Sequence, residues 1–226
     1  MRPALVFTLI LWPLCASSDE YSCPGVDVTV ENGNGYSARI CETVERAMSD
    51  LEVCNLRVTR PLVVSISDDV GDNCVGMYHC GSDRMEILHP APLAGQIDDS
   101  ALFSQLEVLE YFDSIVFHEL VHAAYDEVAC PFQNCTATSE YLAYALQIRA
   151  LSSDARDRIG LGEIAREKVR AEAFSAIFAF WAPDKFAVKA WTHLMQRPDP
   201  CGYVADLAAG DLFFDSETPH IIDPPE

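Results

Sequence analysis

The sequence predicts an α+β fold, in which a small N-terminal β-sheet precedes a helical C-terminal half. Short segments with alternating or β-branched apolar residues are confined to residues 26–88. Longer segments with apolar residues at helical spacing dominate the rest of the chain. Strands that come first and helices that follow are typical of α+β domains. An even number of cysteines after residue 18 predicts that disulfides brace this fold.

The first residues show the pattern of a secretory signal peptide. Arg2 gives a positive start, residues 4–14 are apolar, and small residues around Ser17 offer cleavage sites. We therefore expect residues 1–18 to be a signal peptide and residues 19–226 to form one exported domain, secreted or periplasmic. The apolar run is too short to span a bilayer, and no later segment predicts a membrane span.

The chain is strongly acidic, with a formal net charge of −20. Nucleic acids and anionic membrane surfaces attract Lys and Arg, so this charge argues against either as a main partner. Half of the residues are hydrophobic, which is enough for a sizeable core.

The first half predicts strands around one helix. Residues 26–30 and 56–66 predict strands, and residues 37–51 carry apolar side chains at the spacing of an amphipathic helix. Residues 70–82, with three glycines and two cysteines, predict a loop. Residues 84–88 predict a short edge strand, along which an extended peptide could pair.

The second half predicts four helices and an extended tail. The helices are predicted at residues 106–128, 138–151, 164–180 and 184–195, and the Pro-rich tail begins at residue 216.

Eight cysteines allow 105 pairings, so only loop length guides the choice among them. No pair has the CxxC spacing of a cysteine-zinc site. We expect four disulfides, which are Cys74–Cys80, Cys130–Cys135, Cys41–Cys54 and Cys23–Cys201.

One helix carries the sequence His118-Glu119-Leu120-Val121-His122. Two histidines four residues apart lie on one face of a helix, about 40° apart in rotation and about 6 Å along the axis, so both can bind one Zn²⁺. Glu119 lies about 100° around the helix from His118, where its carboxylate can reach a water beside the metal. The spacing thus provides two ligands and one general base.

Uncharged residues surround this HExxH sequence, with Phe117 before it and Ala123-Ala124 after it. In this respect the segment resembles the active-site helix of zincin metallopeptidases. The resemblance covers about thirty residues and implies a zincin-like core, a bound Zn²⁺ and hydrolysis of peptides or proteins. The metzincin subgroup is excluded, because Tyr125 and Val128 stand where it has Gly and His.

The gluzincin subgroup takes its third zinc ligand from a Glu on the next helix. Glu140 follows His122 at close to the gluzincin spacing, so the resemblance implies Glu140 as the third ligand. Asp126 and Glu127 are the alternatives, although they would have to bind from the same helix as the histidines. Gluzincins often have a carboxylate four residues after this Glu, where this chain has Tyr144.

The sequence also offers candidates for two supporting roles. Asp113 or a backbone carbonyl could orient a zinc histidine. Tyr141, Tyr144 and His193 are candidates for stabilising the oxyanion of the reaction. The alternative function is a non-catalytic secreted module that keeps the zincin scaffold, but such a module has no need of Glu119.

Overall fold

The computed structural model describes residues 20–71, 74–96, 100–163 and 166–216. Five strands form one mixed sheet, in the spatial order β1-β2-β3-β5-β4. Strands β2, β3 and β5 are parallel to each other, whereas β1 and β4 are antiparallel to their neighbours at the two edges. The strands are β1 (Glu20–Ser22), β2 (Val28–Glu31), β3 (Leu62–Ser67), β4 (Gly76–His79) and β5 (Arg84–Leu88).

Helices make up most of the remaining described residues. They are α1 (Ser37–Glu52), α2 (Pro90–Gln96), α3 (Val108–Tyr125), α4 (Thr136–Ala150), α5 (Ser153–Arg158), α6 (Ala176–Trp181), α7 (Pro183–Met195) and α8 (Pro200–Ala208). The α+β prediction, with a small N-terminal sheet and a helical remainder, is therefore confirmed. No helix in the described part of the chain is long and apolar enough to cross a membrane.

Helix α3 lies at the centre of the fold. It contacts α1, α4 and strands β4 and β5. Between Phe112 and Tyr125, only Asp113 and His122 are more than slightly exposed. A helix that is apolar on nearly every side needs such a surrounded position, which holds its backbone rigidly.

Most predicted elements are found close to their predicted bounds, but three elements of the sheet region differ. The predicted strand 56–66 starts only at Leu62, because Asn55 has a positive φ of 59° and Pro61 has no N–H to donate. The predicted loop 70–82 contains strand β4. Strand β5 forms where an edge strand is predicted, but it lies between β3 and β4, so the edge of the sheet is β4.

The predicted helix over residues 164–180 is wrong for its described part, in which a 3-10 turn at Ala171–Ala173 precedes the short helix α6. Tertiary hydrogen bonds replace helical ones here. The side chain of Gln196 accepts from Val169 N and donates to the carbonyl of Glu167. The predicted signal peptide and nearly all of the predicted tail lie outside the described residues.

Three disulfides are present among the described residues, and only one of them has the predicted pairing. Cys130–Cys135 is confirmed. The pairs Cys41–Cys54 and Cys23–Cys201 are wrong, because the structure joins Cys23 to Cys41 and Cys54 to Cys201. The first bond ties the N-terminal strands to α1, and the second ties the end of α1 to α8. Sequence spacing cannot reveal that these segments are neighbours in space.

The predicted bond Cys74–Cys80 is also wrong, because both cysteines are free thiols. They flank strand β4, whose extended backbone separates them by about 3.3 Å per residue. A disulfide needs Cα atoms within about 7 Å, so strand β4 prevents this pairing.

Alkylation without reduction should therefore label Cys74 and Cys80, and the six bonded cysteines should react only after reduction. Cys80 is the exposed thiol, so in the native protein it should react first. Burial raises its pKa, with the nearby Asp126 carboxylate adding to the effect, so this reaction should be faster at alkaline pH. Peptide mass spectrometry that finds a Cys74–Cys80 bond would contradict this arrangement.

Candidate metal centre

Helices α3 and α4 bring together the three residues that the sequence proposes as metal ligands. The Nε2 atoms of His118 and His122 are 3.1 Å apart. Each lies 3.7 Å from a carboxylate oxygen of Glu140. In the described part of the chain, these three side chains form the one group of His, Cys, Asp or Glu residues whose ligand atoms could share a metal ion.

These separations match the needs of a small divalent cation. Two ligand atoms at about 2.0–2.1 Å from a tetrahedral Zn²⁺ are roughly 3.3 Å apart. Both the nitrogen–nitrogen and the nitrogen–oxygen separations lie close to that value. The three side chains therefore need little rearrangement to bind one ion.

A chain of hydrogen bonds determines which nitrogen of His118 carries the proton. Ser114 Oγ donates to the carbonyl of Tyr111, so it accepts from Gln147 Nε2. The amide orientation of Gln147 is then fixed, and its Oε1 lies 3.0 Å from His118 Nδ1. A carbonyl oxygen can only accept, so His118 Nδ1 is the donor. In the neutral ring, the lone pair of Nε2 therefore points into the site.

His122 is oriented in a similar way, since its Nδ1 lies 2.7 Å from Ser139 Oγ. With Nδ1 as the donor, its Nε2 also presents a lone pair. The two rings then present their lone pairs toward the carboxyl group of Glu140. Burial lowers the pKa of His118 to about 4, and burial with the neighbouring His118 lowers that of His122. Neutral imidazoles that face a carboxylate are a suitable donor set for a metal cation.

Glu140 and Glu119 add two acidic groups to this buried region. Burial raises the pKa of Glu140 to about 7. Burial also raises the pKa of Glu119 to about 8, and the nearby Glu140 carboxylate adds to this effect. A bound cation would favour the charged forms of both groups.

The carboxylate of Glu119 contacts strand β4. The backbone N–H of Tyr78 donates to its carboxylate. Gly76 lies directly against it, because a Cβ atom added to Gly76 would be 2.7 Å from Glu119 Oε1. The edge strand thus holds the carboxylate in place, and the glycine makes room for it.

The alternative third ligands are engaged elsewhere. Asp126 accepts hydrogen bonds from Arg60, from the hydroxyl of Tyr78 and from the backbone N–H of Gly81. Glu127 accepts from Thr59 and pairs with Arg60. The two carboxylates therefore connect the end of α3 to strand β4 and to the segment before β3.

Asp113 also has another role than the one expected of it. Its carboxylate forms two hydrogen bonds with the guanidinium of Arg39 on α1. The orienting groups are instead Gln147 for His118 and Ser139 for His122. Both lie on α4. Gln147, seven residues after Glu140, lies on nearly the same helical face, whereas Ser139, one residue before it, lies about 100° around the helix. No sequence pattern marks either residue as a partner of a histidine.

The three oxyanion candidates lie in two different environments. Tyr141 and His193 are buried and bonded to each other, with 2.8 Å between the hydroxyl and Nδ1. Both belong to an aromatic cluster with Phe174 and Tyr203. Tyr144 instead packs its ring edgewise on His118, with the centroids 4.6 Å apart. Burial raises its pKa, and the charges of Glu140 and Glu119 add to the rise.

A model for a family of unknown function, DUF6639, matches residues 28–217. The match includes strands β2 to β5, the eight helices of the described residues and every residue of the candidate metal centre. No curated protein and no solved structure matches the chain.

Proposed function

We propose that this chain, which belongs to the family of unknown function DUF6639, is an exported zinc-dependent peptidase. One observation carries the proposal. Two imidazole lone pairs and one carboxylate converge within reach of a single ion, and a second carboxylate, Glu119, lies beside them. Three protein ligands and a neighbouring base are the composition of a catalytic zinc site, whereas a structural zinc site usually has four protein ligands.

Zinc is the metal that this donor set suits best. His118, His122 and Glu140 offer two nitrogens and one oxygen, as in catalytic zinc sites of the His₂Glu type. When bound, zinc would supply a Lewis acid that polarises a carbonyl and makes a water molecule more acidic.

The residues of the chain would then carry the proton transfers. Glu119, held by the N–H of Tyr78, would accept the proton of the attacking water at its carboxylate. It would then donate that proton to the nitrogen of the leaving amine as the peptide bond breaks. The hydroxyl of Tyr144 is the best placed of the three candidates to donate a hydrogen bond to the oxyanion.

The resemblance to zincins is supported by the arrangement around α3. A mixed sheet precedes the HExxH helix, and its antiparallel edge strand contacts that helix. We assign the pairing of an extended peptide to β4 and not to β5, because β4 has the free edge and contacts Glu119. Export is supported by the three disulfides, which persist in oxidising compartments.

The direct test is hydrolysis of an unfolded protein substrate, such as reduced and alkylated casein, by the zinc-loaded chain. We expect cleavage that stops on removal of zinc by a chelator and returns when zinc is added back. Substrates without peptide bonds serve as controls, because their hydrolysis would indicate a different class of hydrolase. If no peptide is cleaved under any metal condition, the non-catalytic binding module becomes the better explanation.

Gly76→Ala tests the contact between β4 and the base. The added methyl group would lie 2.7 Å from both Glu119 Oε1 and Ile115 Cγ2, so the carboxylate or the strand must move. A displacement of this size in an active site is expected to lower kcat by about 10²-fold. Zinc content should remain unchanged, because Gly76 does not contact a proposed ligand. Gly95→Ala is a matched control, because its added Cβ would contact nothing within 4 Å. Equal kcat values for parent and Gly76→Ala would show that β4 does not position Glu119.

A further inference from the structure

Helix α6 exposes three large apolar side chains on one side. Ile177, Phe180 and Trp181 are 73%, 79% and 78% exposed. They are three and four residues apart, so they lie on the same face of the helix. Single exposed apolar residues are ordinary, but a contiguous group of this size marks an interaction surface.

This exposure is a property of a well-anchored helix. The opposite face of α6 packs into the core through Ala179, which is buried. On the flank between the two faces lies Phe178, which is half-buried and has its ring 5.6 Å from that of Phe186. Ser175 caps the first turn by accepting from Phe178 N. The three exposed side chains are therefore held outward by the fold.

Positive charge accompanies these apolar side chains. The chain has three lysines, at positions 168, 185 and 189, and two of them lie on α7 directly after α6. Lys185 and Lys189 are exposed and one helical turn apart. The ammonium group of Lys189 lies 5.2 Å from the centre of the Phe178 ring, so it adjoins α6. Asp184, the neighbouring acid, accepts a hydrogen bond from Leu102 N.

We propose that Ile177, Phe180, Trp181, Lys185 and Lys189, here called the α6 patch, dock the protein on a membrane surface that contains anionic lipids. Tryptophan and phenylalanine favour the boundary between headgroups and acyl chains, and lysine side chains extend from there to the phosphates. The net charge of −20 argues against attraction of the whole protein to an anionic membrane. It does not prevent a contact limited to this patch, because salt screens charges more than about 8 Å away at physiological ionic strength. The positive charge of the patch itself then determines whether the protein binds anionic lipids.

The experiment measures binding of the whole chain to vesicles of phosphatidylcholine, with and without 30% phosphatidylserine. We expect binding to the anionic vesicles that weakens as salt is raised. Phe180→Ser combined with Trp181→Ser should weaken it by at least about tenfold, because two apolar side chains no longer leave water. Lys185→Gln and Lys189→Gln should each weaken it about fivefold, and only on anionic vesicles.

The controls use matched residues elsewhere on the surface. Val53→Ser changes an apolar side chain that is 70% exposed at the end of α1, and Arg57→Gln removes an exposed positive charge nearby. Both should bind vesicles as the parent does, and circular dichroism should show that all variants are folded. The proposal is overturned if the parent binds neither vesicle, or if the double variant binds as tightly as the parent. It is also overturned if sedimentation shows a dimer that the double variant dissociates, because a second copy then covers the α6 patch.

Discussion

Glu119→Gln is expected to lower peptide hydrolysis by about 10²–10⁴-fold while zinc binding is retained. The substitution keeps the shape of the side chain and its contact with β4, but an amide cannot accept the proton of the attacking water. Glu119 is not among the three side chains that converge on the metal site, so the ligand set should remain intact. The measurements are kcat/KM on a peptide substrate and zinc content of the same preparation.

Glu107→Gln is the matched control for this substitution. Glu107 is an exposed carboxylate at the start of α3, and its side chain does not cap the helix. Its replacement should leave both activity and zinc content unchanged. Full activity of Glu119→Gln would mean that another group serves as the base.

Glu140→Ala should have a different effect, because it removes a proposed metal ligand. Removal of a group that only orients a ligand typically lowers metal affinity by 10–100-fold. Removal of the ligand itself should therefore lower zinc affinity by more than about 10²-fold. Activity should fall with it, and excess zinc should restore part of it. Competition with a chromogenic chelator measures the affinity directly.

Glu127→Ala provides the comparison for Glu140→Ala. The sequence offers Glu127 as an alternative third ligand. In the structure, its carboxylate accepts a hydrogen bond from Thr59 and pairs with Arg60. Zinc affinity of Glu127→Ala should therefore match that of the parent. The opposite order, with zinc lost in Glu127→Ala and kept in Glu140→Ala, would assign the third ligand to the end of α3.

The sequence predicts the metal ligands well because their geometry is largely local. A spacing of four positions on one helix brings His118 and His122 together, whatever surrounds them. Glu140 is reached from the sequence only through the resemblance to gluzincins. In the structure, the short loop closed by Cys130–Cys135 returns the chain as α4, which packs along α3.

The groups that orient these ligands depend on tertiary contacts that the sequence pattern does not carry. Gln147 and Ser139 are ordinary polar positions on an otherwise buried helix, and only the packing of α4 on α3 turns them toward the histidines. Strand β4 is missed for a related reason. In the sequence, the glycine of β4 indicates a loop. In the structure, Gly76 is needed because Glu119 occupies the space that a side chain at position 76 would fill.

The disulfides and the segment before α6 show the same limit. Cys54 and Cys201 are 147 positions apart, so only the completed fold brings them together. The segment before α6 contains apolar residues at helical intervals, but hydrogen bonds to the Gln196 side chain hold it in another conformation.

Zinc content of the purified chain tests the central claim most directly. Elemental analysis of protein dialysed against metal-free buffer should find one zinc per chain in the parent and none in the double variant His118→Ala/His122→Ala. This follows from the two imidazole rings and one carboxyl group that face one another within reach of a single ion. A parent that binds no zinc even when zinc is supplied, or a double variant that keeps full occupancy, would contradict the account.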